Sequence, residues 1–350
     1  MAITGLAGGL EALGHSVHHV GPPPDRVDVL RRIRYNLTLA RAGDAALADS
    51  ALIVGFDLDG FALRPRDTRY VVCLKGVMAD ELRFERGWPR LRFRVLSRLE
   101  RANARSADVV IVTSEYSRGV AIEAYGLDPA RVRIVPEGID LAGWRAAAEA
   151  TDEPAAHISA LDGSSRPPSP DAAGPVILSV ARQYRRKNTT ALLRAIPAIH
   201  AAVPNARLRI VGGGPELPRL EHECLALGLA GSVVITGEIP DTDAVRDEYR
   251  AADVFCLPSL QEGFGIAFLE AMASGLPIVA CRSTAVPEVV PDGEAALLVP
   301  PDDPKALARA LIRLLRDPLL RRRMGEAGMR KAREHAWEEI ARRFVAAVGC

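Results

Sequence analysis

Two carboxylates and a glycine-containing turn stand at the start of a short apolar helix in segment 259–277. Glu262 lies in the turn, and the helix predicted from about 265 to 274 is apolar on nearly every side except at Glu270. A helix with this pattern is normally buried, and a buried carboxylate is costly unless a donor bonds to it. The free N–H groups at the helix start suit a phosphate, and the carboxylates suit hydroxyl groups. The segment therefore favours a nucleotide-sugar ligand.

A basic run follows the strand predicted at 176–180 and contains Arg182 and Lys187. Cations in a strand-to-helix loop at the carboxyl edge of a sheet can clamp a diphosphate. A solvated surface loop is the alternative interpretation of a charged run, but the carboxylates downstream favour the clamp. The glycines at 212–214 follow the next strand without the G-x-G-x-x-G spacing, so a tight turn explains them at least as well as a phosphate contact.

Short apolar runs alternate with helical patterns along the whole chain, which indicates parallel sheets covered by helices on both faces. The first half has predicted strands at 16–20, 51–55, 70–74, 108–113 and 132–135. The second half has them at 176–180, 207–211, 232–236, 253–257, 277–281 and 296–299. The fold class is therefore α/β with two doubly wound domains. Such domains usually bind ligands in the crevice between them, outside the carboxyl ends of the strands.

Composition and periodicity set the predicted domain boundaries. Residues 146–174, rich in Pro, Ser and Ala, predict a linker between one domain at 1–145 and a second at 175–332. An apolar stripe predicts a C-terminal helix within 333–350 that packs back on a domain surface. A helical pattern at 5–13 precedes the first apolar run, although doubly wound domains normally begin with a strand. We therefore expect the first strand to be missing from this sequence.

Overall composition argues against several classes of protein. The chain has 350 residues and a net charge of +1, so no global field attracts it to nucleic acid. It has no run of 18 apolar residues and no signal-peptide pattern, and the seven histidines show no metal-ligand spacing. The cysteines lack C-x-x-C spacing and mostly lie in apolar segments, which favours reduced thiols and a cytoplasmic location. They are Cys73, Cys224, Cys256, Cys281 and Cys350.

The second half of the chain resembles the retaining GT-B glycosyltransferases of family 4. The resemblance covers about 176–344 and is carried by segments 180–187, 210–215, 252–259, 270–277 and 286–289, together with the E-x7-E pair Glu262 and Glu270. Segments 106–114 and 132–140 of the first half also fit the family. The resemblance implies two Rossmann-like domains that face each other across a crevice. It also implies transfer of a hexose with retention of configuration and without a divalent metal or other cofactor.

The roles of individual residues follow from the resemblance. Arg182 and Lys187 match the pair that binds the donor diphosphate and stabilises the leaving nucleotide. Glu270 matches the glutamate that bonds the ribose, and Glu262 matches the residue beside the donor sugar, so Glu262, Arg182 and Lys187 are the expected catalytic residues. The other residues expected to contact the donor are Gly213, Gly263, Phe264, Gly265 and Ile266.

The first half departs from the family at two places. Lys75-Gly76 stands where many relatives have His-Gly, so Lys75 is expected at the donor sugar or an anionic acceptor, with a surface lysine as the alternative. The family's glycine-rich loop after the first strand is absent. Asp57 and Asp59 form a D-x-D, but the other motifs specify a metal-free enzyme. These two residues can face the acceptor, and loop capping is their alternative role.

A basic amphipathic helix is predicted at 79–105. Such a helix can lie on an anionic membrane, which here would be the inner face of the cell membrane. Alternatively, it packs its apolar stripe on the sheet. The expected partners are a nucleotide-sugar donor and a carbohydrate, lipid-linked or small-molecule acceptor.

Three alternatives to a glycosyltransferase remain open from the sequence. One is a non-catalytic or truncated homologue that only binds a nucleotide-sugar. The second is a GT-B nucleotide-sugar 2-epimerase, which would not predict the four residues Arg182, Lys187, Glu262 and Glu270 together. The third, a nicotinamide dehydrogenase, would require a G-x-G-x-x-G motif.

Overall fold

The computed structural model describes residues 2–21, 29–42, 47, 50–63, 68–144 and 174–349. The chain divides into two compact units, one of Met1–Gly138 with Trp337–Cys350 and one of Ile139–Ala336. The linker predicted at 146–174 lies outside the described residues except for Gly174.

The first unit has a four-stranded parallel sheet in the order β1-β2-β3-β4. Its strands are β1 Leu52–Phe56, β2 Arg69–Cys73, β3 Val109–Val112 and β4 Val132–Ile134. Its helices up to this point in the chain are α1 Ala2–Ala12, α2 Val29–Ala42, α3 Met78–Glu81, α4 Gly87–Ser106 and α5 Glu115–Tyr125. Aliphatic β-branched residues dominate the strands, and all four residues of β3 are buried, as expected for a parallel strand covered on both faces.

The second unit has a six-stranded parallel sheet in the order β10-β9-β8-β5-β6-β7. Its strands are β5 Val176–Val180, β6 Arg207–Val211, β7 Val233–Gly237, β8 Val254–Leu257, β9 Ile278–Cys281 and β10 Ala296–Val299. Its helices are α6 Thr189–Ala202, α7 Leu217–Ala226, α8 Thr242–Arg250, α9 Ile266–Ala273, α10 Val286–Val289, α11 Pro304–Arg316 and α12 Pro318–Arg333. The six strands predicted for this half are confirmed to within one residue at each end.

The last helix, α13 Trp337–Val348, belongs to the first unit. Its buried residues Ile340 and Phe344 share a core with Leu6 of α1 and Val71 of β2. The approach of the two helices is close, because a Cβ on Gly5 would come within 2.1 Å of the Trp337 ring. Glycine at this position therefore allows α1 to pack against α13.

Two predicted elements of the first half differ from the structure. The strand predicted at 16–20 is wrong: these residues have no regular structure, and Val20 is exposed. The short run has only two apolar residues that could face a core, and neither finds a partner strand among the described residues. The helix predicted at 79–105 is divided into α3 and α4, because residues 82–86 between them are not helical. Gly87, with a left-handed φ of 59°, is the first residue of α4.

A buried ion pair ties α8 to the second sheet. The Arg209 guanidinium, on β6, donates to both carboxylate oxygens of Glu248 at 2.5 and 2.6 Å, and both residues are buried. Bidentate geometry of this kind offsets much of the cost of removing the two charges from water. The pair fixes the helix that also carries Tyr249, a residue of the candidate site below.

Replacing Glu248 with alanine would leave the Arg209 charge buried without the Glu248 carboxylate. We expect the free energy of unfolding to fall by about 3–5 kcal/mol, measured by urea denaturation. The matched control is Glu223→Gln, which breaks the more exposed Arg194–Glu223 pair and should cost less than about 1 kcal/mol. Equal losses in the two variants would contradict the anchoring role of the buried pair.

Candidate functional site

The candidate site lies where the strand order of the second sheet reverses. Strand β5 pairs with β6 on one side and with β8 on the other, and the chain continues from β6 in one direction and from β8 in the opposite one. The loops that leave the carboxyl ends of two such neighbouring strands diverge and form a crevice, which is where open α/β sheets bind ligands. Here the loop after β5 carries Arg182 and Lys187, and the loop after β8 carries Glu262.

A buried ion pair joins these two loops. The Lys187 ammonium (Nζ) lies 2.5 Å from Oε1 of Glu262, and the two side chains are 13% and 7% exposed. The Ser259 hydroxyl donates to the same carboxylate oxygen at 2.8 Å, and the backbone N–H of Glu262 donates to Thr284 Oγ1 at 2.9 Å. The lysine and glutamate predicted from the motifs are therefore in direct contact and held in one orientation.

Backbone bonds fix the basic loop beside the acidic one. The N–H of Leu260 donates to the carbonyl of Arg186 at 2.7 Å, which links the two loops directly. A single 3₁₀ turn, Arg185–Lys187, ends at Asn188 in the left-handed region with φ of 55°. This turn aims the Lys187 side chain back towards Glu262.

The glycine loop after β6 supports the basic loop from the other side. The Gln183 N–H donates to the carbonyl of Gly213 at 2.9 Å. A Cβ on Gly212 would come within 2.0 Å of the Ala181 carbonyl, and one on Gly214 within 2.6 Å of the Gln183 carbonyl. The glycines are thus needed for close packing of two loops, as in the tight-turn interpretation of this motif.

Helix α9 begins beside the ion pair. Gly265 precedes it with φ of 94°, and a Cβ there would lie 2.6 Å from the Phe268 ring and 3.7 Å from the Glu262 carboxylate carbon. Only glycine fits this turn without strain. The helix start, with Ile266 as its first residue, therefore presents free N–H groups and positive potential next to Lys187 and Glu262.

Glu270, one turn into α9, is held by Tyr249 of α8. The Tyr249 hydroxyl donates to Oε2 of Glu270 at 2.8 Å. Burial raises the pKa of Glu270, and the bond from Tyr249 opposes that rise. Tyr249 is itself fixed by aromatic contacts, with ring centroids 5.1 Å from Trp144 and 5.5 Å from Phe255. One oxygen of a half-buried carboxylate is thereby occupied, and the carboxylate is oriented before any ligand binds.

The other residues predicted to contact a donor lie in the same two loops. Arg182 is exposed, and its guanidinium carbon lies 5.9 Å from the centroid of the Tyr184 ring. Phe264 is buried, with its ring centroid 5.7 Å from that of His335, and so supports the turn from inside. Gly263 lies in the turn between Glu262 and Phe264.

A cavity of about 310 Å³ borders the basic loop. The described residues that line it include Tyr184 and Leu260 but not Lys187, Glu262 or Glu270. These three residues, predicted from the sequence to be functional, therefore do not line this cavity.

The three first-half residues predicted on the acceptor or donor-sugar side lie together at the carboxyl edge of the first sheet. Lys75 Nζ is 2.9 Å from Oε1 of Glu137, and the Lys75 N–H donates to Oδ1 of Asp57 at 2.8 Å. Burial raises the pKa of Asp57 to about 6. Arg32 donates to both carboxylate oxygens of Asp59 at 2.7 and 2.6 Å.

Sequence reasoning missed Tyr249, Thr284 and Glu137 as parts of these arrangements. Their partners lie 21, 22 and 62 residues away in sequence, so no local motif signals the contact. The one usable signal was Glu270, because a carboxylate on an apolar helix requires a buried donor, and a tyrosine is a common one.

Comparison with known families gives two matches. The family model described as "Glycosyl transferases group 1" matches residues 165–331, and the model described as "Glycosyltransferase Family 4" matches residues 2–142. The first match contains the whole site built on β5, β8 and α9. The second contains the edge of the first sheet with Lys75.

Curated relatives match the chain over part of their length. A GDP-mannose-dependent alpha-(1-6)-phosphatidylinositol monomannoside mannosyltransferase from Mycolicibacterium smegmatis is 35% identical over 240 residues, which cover 63% of this chain and 56% of that protein. A D-inositol 3-phosphate glycosyltransferase from Corynebacterium urealyticum is 32% identical over 247 residues, which cover 69% of this chain and 56% of that protein. The chain therefore spans little more than half the length of these relatives.

A solved structure agrees with the fold. Sucrose-phosphate synthase from Thermosynechococcus elongatus matches with a TM-score of 0.76 at 24% identity, over 98% of this chain and 91% of that one. The likeness shows the α/β fold with two parallel-sheet domains, of the GT-B class, as expected from the sequence.

Removing the Tyr249 hydroxyl should make stability depend more strongly on pH. Because the pKa of Glu270 is raised in the folded state, this group's contribution to stability is lost as pH rises from its unfolded pKa towards its folded one, and the Tyr249 bond limits the loss. Tyr249→Phe should therefore lower the unfolding free energy by about 1 kcal/mol near pH 4.5 and by about 1.5–3 kcal/mol near pH 7.5 in urea titrations.

Tyr70→Phe is the matched control for this experiment. It removes a buried hydroxyl that donates to the uncharged side chain of Asn103 at 2.6 Å. Tyr70→Phe should therefore lower the unfolding free energy by the same amount at both pH values. If Tyr249→Phe also lowers the unfolding free energy equally at both pH values, the raised pKa of Glu270 is contradicted.

Proposed function

The chain belongs to glycosyltransferase family 4, and from this premise we propose that it transfers a hexose from a nucleoside-diphosphate sugar to a hydroxyl group of an acceptor. The acceptor is a glycan, a lipid-linked sugar or a small molecule. The proposed donor site is the one built on β5, β8 and α9 of the second unit.

The observation that carries this proposal is the buried contact between Lys187 and Glu262 beside the start of α9. A lysine ammonium has three donors, and Glu262 takes one of them, so two remain for phosphate oxygens. The helix start adds backbone N–H donors in the same place. Arg182, exposed on the same loop, adds a guanidinium that suits a phosphate.

The proposed reaction uses these groups to stabilise a leaving diphosphate. The bond between the anomeric carbon and the diphosphate oxygen breaks, and a bond to the acceptor oxygen forms on the same face, so configuration is retained. The acceptor proton passes to the departing phosphate. Lys187, Arg182 and the helix start compensate the charge that develops on the diphosphate, and we propose that no divalent metal is needed.

The two carboxylates bind the neutral parts of the donor in this proposal. Glu270 has one oxygen bonded to Tyr249, and its other oxygen accepts a ribose hydroxyl. Glu262 is oriented by Lys187 and Ser259 so that it can accept a hydroxyl of the donor sugar or stabilise positive charge at the anomeric carbon.

We also propose that the enzyme works in the cytoplasm at the inner face of a membrane. Cys73, Cys224, Cys256 and Cys281 are unpaired buried thiols, as expected in a reducing compartment. No helix among the described residues has both the length and the apolar character needed to cross a bilayer. Contact would instead be peripheral, through α4.

Helix α4 presents an apolar face that the described residues leave uncovered. Trp88, Leu91 and Val95 share one side of the helix and are 76%, 51% and 45% exposed, while the neighbouring Leu96 is buried. Exposed arginines flank the apolar residues: Arg86, Arg90, Arg92, Arg94 and Arg98. An apolar face bordered by cations is typical of helices that bind anionic lipid surfaces.

The donor site is tested by calorimetric titration with UDP, GDP, ADP and TDP in the presence of EDTA. We expect micromolar binding of one nucleotide, and binding about a hundredfold weaker in Arg182→Ala/Lys187→Ala, because two charge-assisted contacts to phosphate are lost. The control is Arg322→Ala/Lys331→Ala, which removes the same two residue types from α12 and should bind normally. A folded protein that binds none of the four, or a site variant that binds as the parent does, would overturn the proposal.

Vesicle sedimentation tests the membrane contact. The protein should bind vesicles of phosphatidylglycerol and phosphatidylcholine, but not phosphatidylcholine alone, and Trp88→Ser/Leu91→Ser/Val95→Ser should weaken binding by about tenfold or more, since buried apolar area drives insertion. Leu225→Ser/Leu319→Ser serves as the control, because these leucines are 69% and 80% exposed on other helices. Equal binding by both variants would refute a role for α4.

A further inference from the structure

We propose that Glu137 is a specificity-determining residue that restricts the acceptor to an uncharged, hydroxyl-bearing group by neutralising Lys75. The inference rests on the proposed function and concerns the acceptor side. It assigns to the carboxyl edge of the first sheet a preference against phosphate monoesters and other anionic acceptors.

The geometry of Lys75 carries the inference. Taken alone, a lysine after β2 at the carboxyl edge of the sheet predicts a site for an anion. In the structure its ammonium lies 2.9 Å from Oε1 of Glu137, which follows β4 and is 2% exposed. The same ammonium lies 5.3 Å from the centroid of the Phe56 ring, and the Lys75 backbone is fixed by Asp57. The lysine is therefore anchored to a buried carboxylate, and its charge is already compensated.

The other charges at this edge strengthen the effect. Arg32 forms a two-point ion pair with Asp59, so this cation is also compensated. The Glu81 carboxylate adds negative charge nearby, since a Cβ on Gly76, next to Lys75, would come within 2.9 Å of Glu81 Oε1. Among the described residues around Lys75, the carboxylates outnumber the cations.

This negative field would repel a phosphate on the acceptor, whereas it would not repel an uncharged hydroxyl group. Like charges brought together in a partly desolvated site are strongly disfavoured. The remaining donors of the partly exposed Lys75 ammonium instead suit hydroxyl groups, whose oxygens can accept from it. The arrangement thus discriminates by charge and not by size.

Selective labelling gives a direct test, because the chain has only four lysines: Lys75, Lys187, Lys305 and Lys331. Protein with ¹³C-labelled lysine gives few side-chain signals, and Lys75→Met assigns that of Lys75. Methyl phosphate is titrated into Arg182→Ala/Lys187→Ala protein, so that the donor site does not compete. Methyl phosphate should leave the Lys75 signal unchanged at concentrations that shift it in the same protein with Glu137→Gln, where affinity should be about tenfold higher.

The variant Glu223→Gln, which removes a paired carboxylate far along the chain, should behave as the parent does. Melting curves check that Glu137→Gln, a nearly isosteric change, remains folded. If methyl phosphate shifts the Lys75 signal equally in the protein with Glu137 and in the Glu137→Gln variant, the inference is wrong. Because this test requires no donor turnover, its failure leaves the nucleotide titration untouched, and a failed nucleotide titration would remove the proposed function whatever Lys75 does.

Discussion

The contact between Lys187 and Glu262 is the interaction on which the second unit's site depends. Removing two charges from water costs several kcal/mol per ion, so such a pair persists only with close geometry and further hydrogen bonds. Here Ser259 donates such a bond to the carboxylate, and Thr284 accepts one from the Glu262 backbone N–H. A backbone bond from Leu260 to Arg186 holds the two loops together. The pair therefore acts as a fixed polar centre at the point where strand order reverses.

A second set of polar contacts, among β6, α8 and α9, supports this centre. The Arg209–Glu248 pair fixes α8 to β6, and the neighbouring Tyr249 reaches Glu270 on α9. Helix α9 in turn places its N-terminus beside Glu262 through the turn at Gly265. Preorganisation of this kind means that a bound diphosphate would meet groups already in position, so little ordering would be required at the moment of reaction.

Local signals in the sequence predicted most of the fold and singled out residues that the structure brings together at the candidate site. Strands such as Val254–Leu257 are apolar runs of the right length, and the carboxylate on an otherwise apolar helix marked Glu270. The strand predicted at 16–20 failed, because a short run with few apolar residues forms a strand only if a neighbour pairs with it. Contacts between distant residues, such as Lys187 with Glu262 at a separation of 75 residues, depend on how strands order in the sheet, which periodicity does not reveal.

A crystal structure of the full chain with the nucleoside diphosphate that it binds would test the central claim most directly. The account predicts phosphate oxygens within about 3 Å of Lys187 Nζ and of the first N–H groups of α9, with a ribose hydroxyl on the free oxygen of Glu270. A nucleotide bound elsewhere, for example in the cavity lined by Tyr184 and Leu260, with Lys187 contacting only Glu262, would contradict it.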